Sequence, residues 1–214
     1  MTQTKCNASW KYACIFFHID NLLSLDPNMN IDGKIVTLRA PELADIPQLH
    51  KWSNDPEIWN MLGGWHFPFS NRSTEEWVRS RKDNNLSNHV FCIDTAEHGL
   101  IGTASILNID WKNRTAFHGM MIGQENIRGK GYALDALFSI MRYAFMELGL
   151  NRLDGDMISY NERSIRFYIE KGGWQHEGIR RNWFYRNGDF HDKIIVGATR
   201  SDYIKIMEKN NYWS

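Results

Sequence analysis

Hydrophobic residues recur at a helical interval over one long stretch of this chain, and at the two-residue interval of a strand over several short ones. From residue 131 to 148, Leu134, Leu137, Phe138, Met141, Phe145 and Leu148 fall on one helical face, and Gly149 supplies the stop. A second helix over 162–171 ends at Gly172-Gly173. A third runs from Pro41 to about Trp52 with Leu43, Ile46, Leu49 and Trp52 aligned, and Asn54-Asp55-Pro56 closes it. Ser73 and Glu76 have the spacing of a capping box and predict a helix to about residue 84. Strands are predicted over 34–39, 89–94, 100–109, 115–122, 152–158, 174–184 and 192–199. Their turns are marked by Glu97-His98-Gly99 and Asn187-Gly188. Residues 12–19 read as one more strand, ended by Asp26-Pro27-Asn28.

The order of these elements constrains the topology. Strands 89–94, 100–109 and 115–122 follow one another through short turns, which makes an antiparallel meander. The strand at 115–122, the helix at 131–148 and the strand at 152–158 form a crossover, so those two strands run parallel. The fold class is α/β (α+β) with a mixed sheet. One domain spans residues 31–203, with an extension over 1–30 and a tail over 204–214. The extension packs either on the domain or on a neighbouring subunit, which leaves a homodimer open.

Composition narrows the function. The chain has 214 residues, 43% hydrophobic and 23% charged, as a globular protein does. Lys plus Arg and Asp plus Glu each number 25, so no overall field recruits nucleic acid or an anionic membrane. The arginines at 180, 181 and 186 belong to a solvated hairpin. Cys6, Cys14 and Cys92 show neither metal-ligand spacing nor an even count, so no metal and no disulfide framework are expected, and a reducing cytoplasm fits. The apolar run at 13–17 is too short for a membrane span or a secretory segment. The N-x-S/T sequons at Asn7, Asn71 and Asn113 read as chance.

Candidate chemistry lies between the parallel strands and the helices that follow them. Arg128-Gly129-Lys130-Gly131-Tyr132-Ala133 joins a buried strand to the longest helix. There, backbone N–H groups and the positive helix end converge on an anion, and glycines let a phosphate approach the main chain. Arg128 and Lys130 add positive charge. The pattern is neither the Walker sequence nor the dinucleotide fingerprint. On the next helix Asn161, Ser164, Ile165 and Tyr168 form one stripe at i, i+3, i+4 and i+7. Alone, Asn161 reads as a helix cap and Tyr168 as core. Two parallel strands splaying beside the glycine turn would instead make a crevice of the kind ligands occupy. The aromatic segment with Trp59, Trp65, His66, Phe67 and Phe69 is either a substrate lid or a loop folded under its own rings.

The run Arg128 to Ala133, then Asn161 to Tyr168, then Gly173-Trp174 with Glu177-Gly178, resembles the GNAT acetyl-CoA-dependent N-acetyltransferases. The ribosomal-protein and polyamine acetyltransferase branch is the most similar. The resemblance covers about residues 34–200, including Asn113 to Ala116, Asn187-Gly188 and Asp192. It implies a mixed, mostly antiparallel sheet flanked by helices, with a splayed parallel strand pair. It further implies that amides of Arg128, Gly129, Lys130, Gly131, Tyr132 and Ala133 hold the pyrophosphate of acetyl-CoA. Main-chain groups of Met121, Ile122 and Gly123 would pair with the pantetheine arm, Asn161 would bond that arm with Ser164 nearby, and Tyr168 would protonate the departing thiolate. The acceptor would be a primary amine, attacking the thioester directly.

Two departures stand out. Asn126 opens the turn where relatives usually have Gln or Arg. Phe117 follows Ala116 where relatives often carry a Glu that acts as base through water. His118 and Asp110 are candidate replacements, but strand alternation turns His118 away from Phe117, and a structural histidine is the plainer reading. Three readings of function follow. The first is an acetyltransferase for a small-molecule amine (amino sugar, polyamine or drug-like amine) or, alternatively, for a protein N-terminus. The second is a non-catalytic acetyl-CoA-binding protein. The third is a fold relative that binds another phosphate ligand.

Overall fold

The computed structural model describes residues 30–64, 67–81 and 85–213. The strand expected over 12–19 lies outside them. Eight strands form one open sheet: β1 (Ile31–Asp32), β2 (Thr37–Arg39), β3 (His89–Thr95), β4 (Gly99–Asp110), β5 (Thr115–Ile122), β6 (Arg152–Ile158), β7 (Gln175–Arg186) and β8 (Asp189–Thr199). Their order is β1-β2-β3-β4-β5-β6-β8-β7, and every neighbouring pair is antiparallel except β5 and β6. The predicted mixed sheet is present, with its parallel pair at the centre.

Helices cover both faces. Under α4 (Tyr132–Arg142), α5 (Glu162–Arg166) and α6 (Arg200–Asn210) lies the larger core, where Leu38, Ile101, Ile106, Leu137, Phe138, Leu153, Trp174 and Val196 are almost wholly buried. A smaller cluster of Leu49, Trp52 and Val78 joins α1 (Ile46–Ser53) and α3 (Asn71–Arg79) to Leu100 and Met121 on the other face. Gly123 makes that approach possible, because a Cβ there would lie 2.1 Å from the Trp52 ring.

Several boundaries differ from the sequence reading, each for a local reason. Residues 34–36 are not strand: the amides of Lys34, Ile35 and Val36 all donate to the Asp135 carboxylate, at 2.9, 2.7 and 2.9 Å. The helix expected from Pro41 starts at Ile46, after a 3₁₀ turn over Leu43–Asp45 that Glu42 and Asp45 cap reciprocally. Asp55-Pro56 ends α1 but also starts α2 (Pro56–Asn60), since Asp55 accepts from the amides of Glu57 and Ile58. The α3 cap is Ser70, not Ser73, and Glu76 pairs with Arg72 at 2.8 Å instead of reaching back to a cap. The long helix widens into a π turn over Tyr143–Glu147, and α5 does the same over Phe167–Lys171. Residues 204–210, within the stretch set apart as a tail, are the rest of α6. Its Tyr203 is buried, and Tyr212 and Trp213 pack on the core.

Candidate active site

Where β5 and β6 run side by side, only three residues of each are paired: Thr115 with Arg152, Ala116 with Leu153, and Phe117 with Asp154. Beyond that point the strands part, while β5 continues to Ile122 and β6 to Ile158. The freed edge of β5 is readable from its other side. Gly123 donates to Ile101 of β4 at 2.9 Å, so alternation aims the Ile122 and Met120 main-chain groups into the gap, and those of Met121 toward β4. An extended ligand arm lying in the gap would meet the main-chain groups of Ile122.

Past the end of β5 the chain forms the glycine turn. Gly129 and Gly131 have φ of 81° and 91°, in the left-handed region that side chains disfavour. Within the turn Arg128 donates to Glu125 and Lys130 to Ile127, at 3.2 and 3.4 Å. The N–H groups of Gly129, Gly131, Tyr132 and Ala133 donate to no other described residue. No side chain caps α4, so its first amides and positive dipole end point outward together. The Arg128 guanidinium pairs with Glu125 at 2.7 Å, and the Tyr132 hydroxyl donates to Glu97.

On the α4 side of the gap lies a buried aromatic group. Tyr168 is 8% exposed, and its ring meets His118 at 5.8 Å and Trp174 at 5.1 Å. The Tyr168 hydroxyl has no hydrogen-bond partner among the described residues and is not sealed from solvent. Burial holds its pKa well above the ordinary phenol value, so it stays protonated. His118 lies 3.1 Å (Nδ1) from the Ser105 carbonyl, which makes Nδ1 the donor and leaves Nε2 a buried acceptor with no protein partner. Burial pulls its pKa down to about 4, so it is neutral in the folded protein. His118 faces Tyr168 and Trp174, and Phe117 faces the opposite side of the sheet. The half-buried Asp110 is occupied by Asn113, whose main-chain and side-chain nitrogens donate to its carboxylate.

Asn161 is both a cap and a clamp. Its Oδ1 accepts from the Ser164 amide at 3.2 Å, and its Nδ2 donates to the Met61 carbonyl at 3.1 Å. The Tyr160 hydroxyl donates to the Asn60 carbonyl, and Arg186 donates to the carbonyls of Leu62 and Gly64. The 60–64 loop after α2 is thereby tied to the end of β6 and to the β7–β8 hairpin. Of the predicted aromatic segment, Phe67 and Phe69 are exposed, whereas Trp65 and His66 lie outside the described residues.

Sequence reading passed over the carboxylates on the α1–α2 face of β6. Asp154 is held by Arg152 at 2.6 Å, and Asp156 by Lys193 at 2.7 Å. Strand alternation from Phe117 and its partner Asp154 puts both on the face away from His118. Among the described residues there is no cluster of three or more side chains able to hold a metal ion, and no helix long and apolar enough to cross a membrane.

Known proteins share this fold. A family model for an acetyltransferase (GNAT) domain matches residues 36–174. The chain is 30% identical to the SPbeta prophage-derived uncharacterized N-acetyltransferase YokL of Bacillus subtilis, over 80% of its own length and 93% of that protein. It is 25% identical to the spermidine N(1)-acetyltransferase of Vibrio cholerae, over 81% of its length and 98% of that protein. The crystal structure of spermidine N-acetyltransferase from Vibrio cholerae in complex with CoA and spermine superposes with a TM-score of 0.69 at 25% identity. The match covers 79% of this chain and 98% of that one.

Proposed function

The chain belongs to the GNAT acetyltransferase family, and from that premise we propose that it transfers the acetyl group of acetyl-CoA to the primary amine of a small molecule. The observation that carries this reading is the parted β5–β6 pair. It combines a strand edge free to bind an extended arm, four outward amides at the end of that edge, and a protonated phenol at the gap. The residues fit the group: an anionic diphosphate suits the amides of Gly129, Gly131, Tyr132 and Ala133, with Lys130 beside them. Main-chain groups of Ile122 would serve the pantetheine arm, whereas those of Met121 and the Gly123 N–H are turned to β4. The Asn161 amide retains one N–H beyond its bond to Met61, and the Ser164 hydroxyl has no described partner.

When bound, acetyl-CoA supplies an activated acyl carbon and a thiolate leaving group. Tyr168 holds a proton for that thiolate. A phenol of pKa ~10 and a thiol of ~8.5 are close enough for the transfer, and burial that disfavours the phenolate disfavours a thiolate in the same site too. The acceptor approaches from the α1–α2 face. Lys193 pairs with Asp156, and Arg152 is shared between Asp154 and Glu177, so these carboxylates are all engaged and no bare acidic cluster awaits a polycation. That balance suits an amine with one cationic head and a body that packs on Trp183 and Phe184. The absence of a disulfide framework in the sequence supports a cytoplasmic setting.

A thiol-release assay with acetyl-CoA and a panel of spermidine, tryptamine, kanamycin and a short peptide with a free N-terminus tests the reading. Turnover of a small amine above the peptide supports it. Turnover of the peptide alone makes the protein an N-terminal acetyltransferase. Acetyl-CoA binding without turnover makes it a binding protein.

A further inference from the structure

We propose that Asp156 is the base that takes the proton from the acceptor ammonium, in the role left vacant by Phe117. The inference rests on the acetyl-transfer reading above and deepens it. Its starting point is register. Phe117 and Asp154 are the last paired residues of β5 and β6, so the next positions on the same face are Gly119 and Asp156, on opposite banks of the gap. Gly119 carries no side chain, and across it Ser105 of β4 is turned to the Gly119 carbonyl. Asp156 is therefore the first ionisable side chain beyond the fork on the face from which the acceptor arrives.

Its surroundings suit the task. Lys193 of β8 donates to Oδ2 at 2.7 Å, with side chains only 15% and 21% exposed. Lys193 is itself stacked over Trp183 and Phe184 at 4.7 and 5.3 Å, which fixes it and, through it, the carboxylate. Oδ1 has no described partner and points under the 60–64 loop, where a Cβ on Gly63 would lie 3.6 Å from it. One oxygen is thus anchored and the other is free to accept. The other charged groups on this face are Asp154, Arg152 and, beyond Arg152, Glu177 of β7, with Arg180 over the Trp183 ring and Arg186 over the Phe184 ring. The loop contributes only main chain at Gly63, and β5 contributes Gly119.

The step balances without an added reactant. An N–H bond of the ammonium breaks, its proton forms an O–H bond on Oδ1, and the nitrogen keeps the electron pair for the acyl carbon. The C–S bond then breaks as Tyr168 gives its proton to sulfur, and the second proton that the nitrogen sheds on becoming an amide is passed through solvent to the Tyr168 phenolate.

The test uses Asp156→Asn and Asp156→Glu in the full chain, assayed from pH 6 to 9 with whichever of spermidine, tryptamine or kanamycin the wild type acetylates. Without the carboxylate the rate follows the free-amine fraction. We expect Asp156→Asn to lose about 100-fold in kcat/KM at pH 7 and to recover as pH approaches the amine pKa. Asp156→Glu should keep the wild-type profile within about tenfold. Acetyl-CoA affinity by calorimetry should stay within twofold in both variants. An Asp156→Asn rate near wild type at pH 7, or a deficit equal at every pH, overturns the assignment, the second by making Asp156 structural. Acetyl-CoA affinity lost along with the rate also overturns it. A wild type that binds acetyl-CoA but acetylates none of the amines removes the acetyl-transfer reading, and this assignment with it.

Discussion

Removing the Asp135 carboxylate of α4 should cost this protein a large share of its stability. Asp135 is fully buried, and its two oxygens are shared among four donors. Oδ1 takes the Lys34 amide and the Tyr212 hydroxyl, at 2.9 and 2.7 Å, and Oδ2 takes the Ile35 and Val36 amides, at 2.7 and 2.9 Å. The carboxylate sits in the first turn of α4, where the helix dipole favours it. It joins three distant parts of the chain, the entry to β2, the glycine turn and the C-terminal segment. In Asp135→Ala, Lys34 and Ile35 are exposed and their amides can turn to water, whereas the amide of the buried Val36 and the half-buried Tyr212 hydroxyl lose their acceptor in the interior. At ~1–3 kcal/mol for each stranded donor, the expected loss is about 4 kcal/mol. For a domain of this size that is a fall in Tm of about 8–16 °C. Tyr212→Phe removes one bond to a charged acceptor and leaves the rest, so it should cost about 1.5 kcal/mol. Urea unfolding of wild type, both single variants and the double variant gives the coupling directly, and the double variant should cost less than the sum. An Asp135→Ala loss under about 1 kcal/mol would refute the reasoning, since it would mean the Val36 amide and the Tyr212 hydroxyl are satisfied elsewhere.

Tyr168→Phe should lower turnover at least tenfold and leave acetyl-CoA affinity within twofold; an unchanged kcat takes Tyr168 out of the mechanism. His118 gives an acid limb of stability. Its pKa is about 4 when folded against ~6.5 when unfolded, so the unfolded chain gains a proton first as pH falls. Stability should therefore drop by about 3 kcal/mol between pH 6.5 and 4 and level off below, and His118→Asn should lack that component in urea midpoints measured across the range. Gly129→Ala meets no atom within 4 Å at its new Cβ, so only the positive φ is penalised, by about 1 kcal/mol. Calorimetry should show acetyl-CoA binding weakened at least tenfold, because the methyl group stands beside the outward amides; equal affinity would place the diphosphate elsewhere.

What the sequence disclosed of this protein was whatever is decided within a few residues. β5 follows from a short, largely apolar run, β6 from the alternation of Leu153 and Met157 with charged residues, and the turn at 129–131 from a backbone that only glycine adopts readily. Helical spacing likewise put Asn161 at the start of α5, where it caps the helix, and Tyr168 among its inward positions, where it is buried. Errors arose where a distant partner decides. Lys34 to Val36 has the alternation of a strand, but its amides wrap Asp135, a hundred residues away, and no local pattern reveals that. Asp55-Pro56 can stop one helix or start another, and here it does both. Asp156 is hidden for a subtler reason. Its meaning depends on where pairing between β5 and β6 ends and on which face Phe117 lies, so it can be weighed only after register is known. A base on the β5 side can be sought by its place after Ala116, because that position is fixed relative to a motif. A base supplied by the opposite strand has no such address, and a chain that moved its proton acceptor across the gap would keep every motif of its family while appearing to have lost the chemistry.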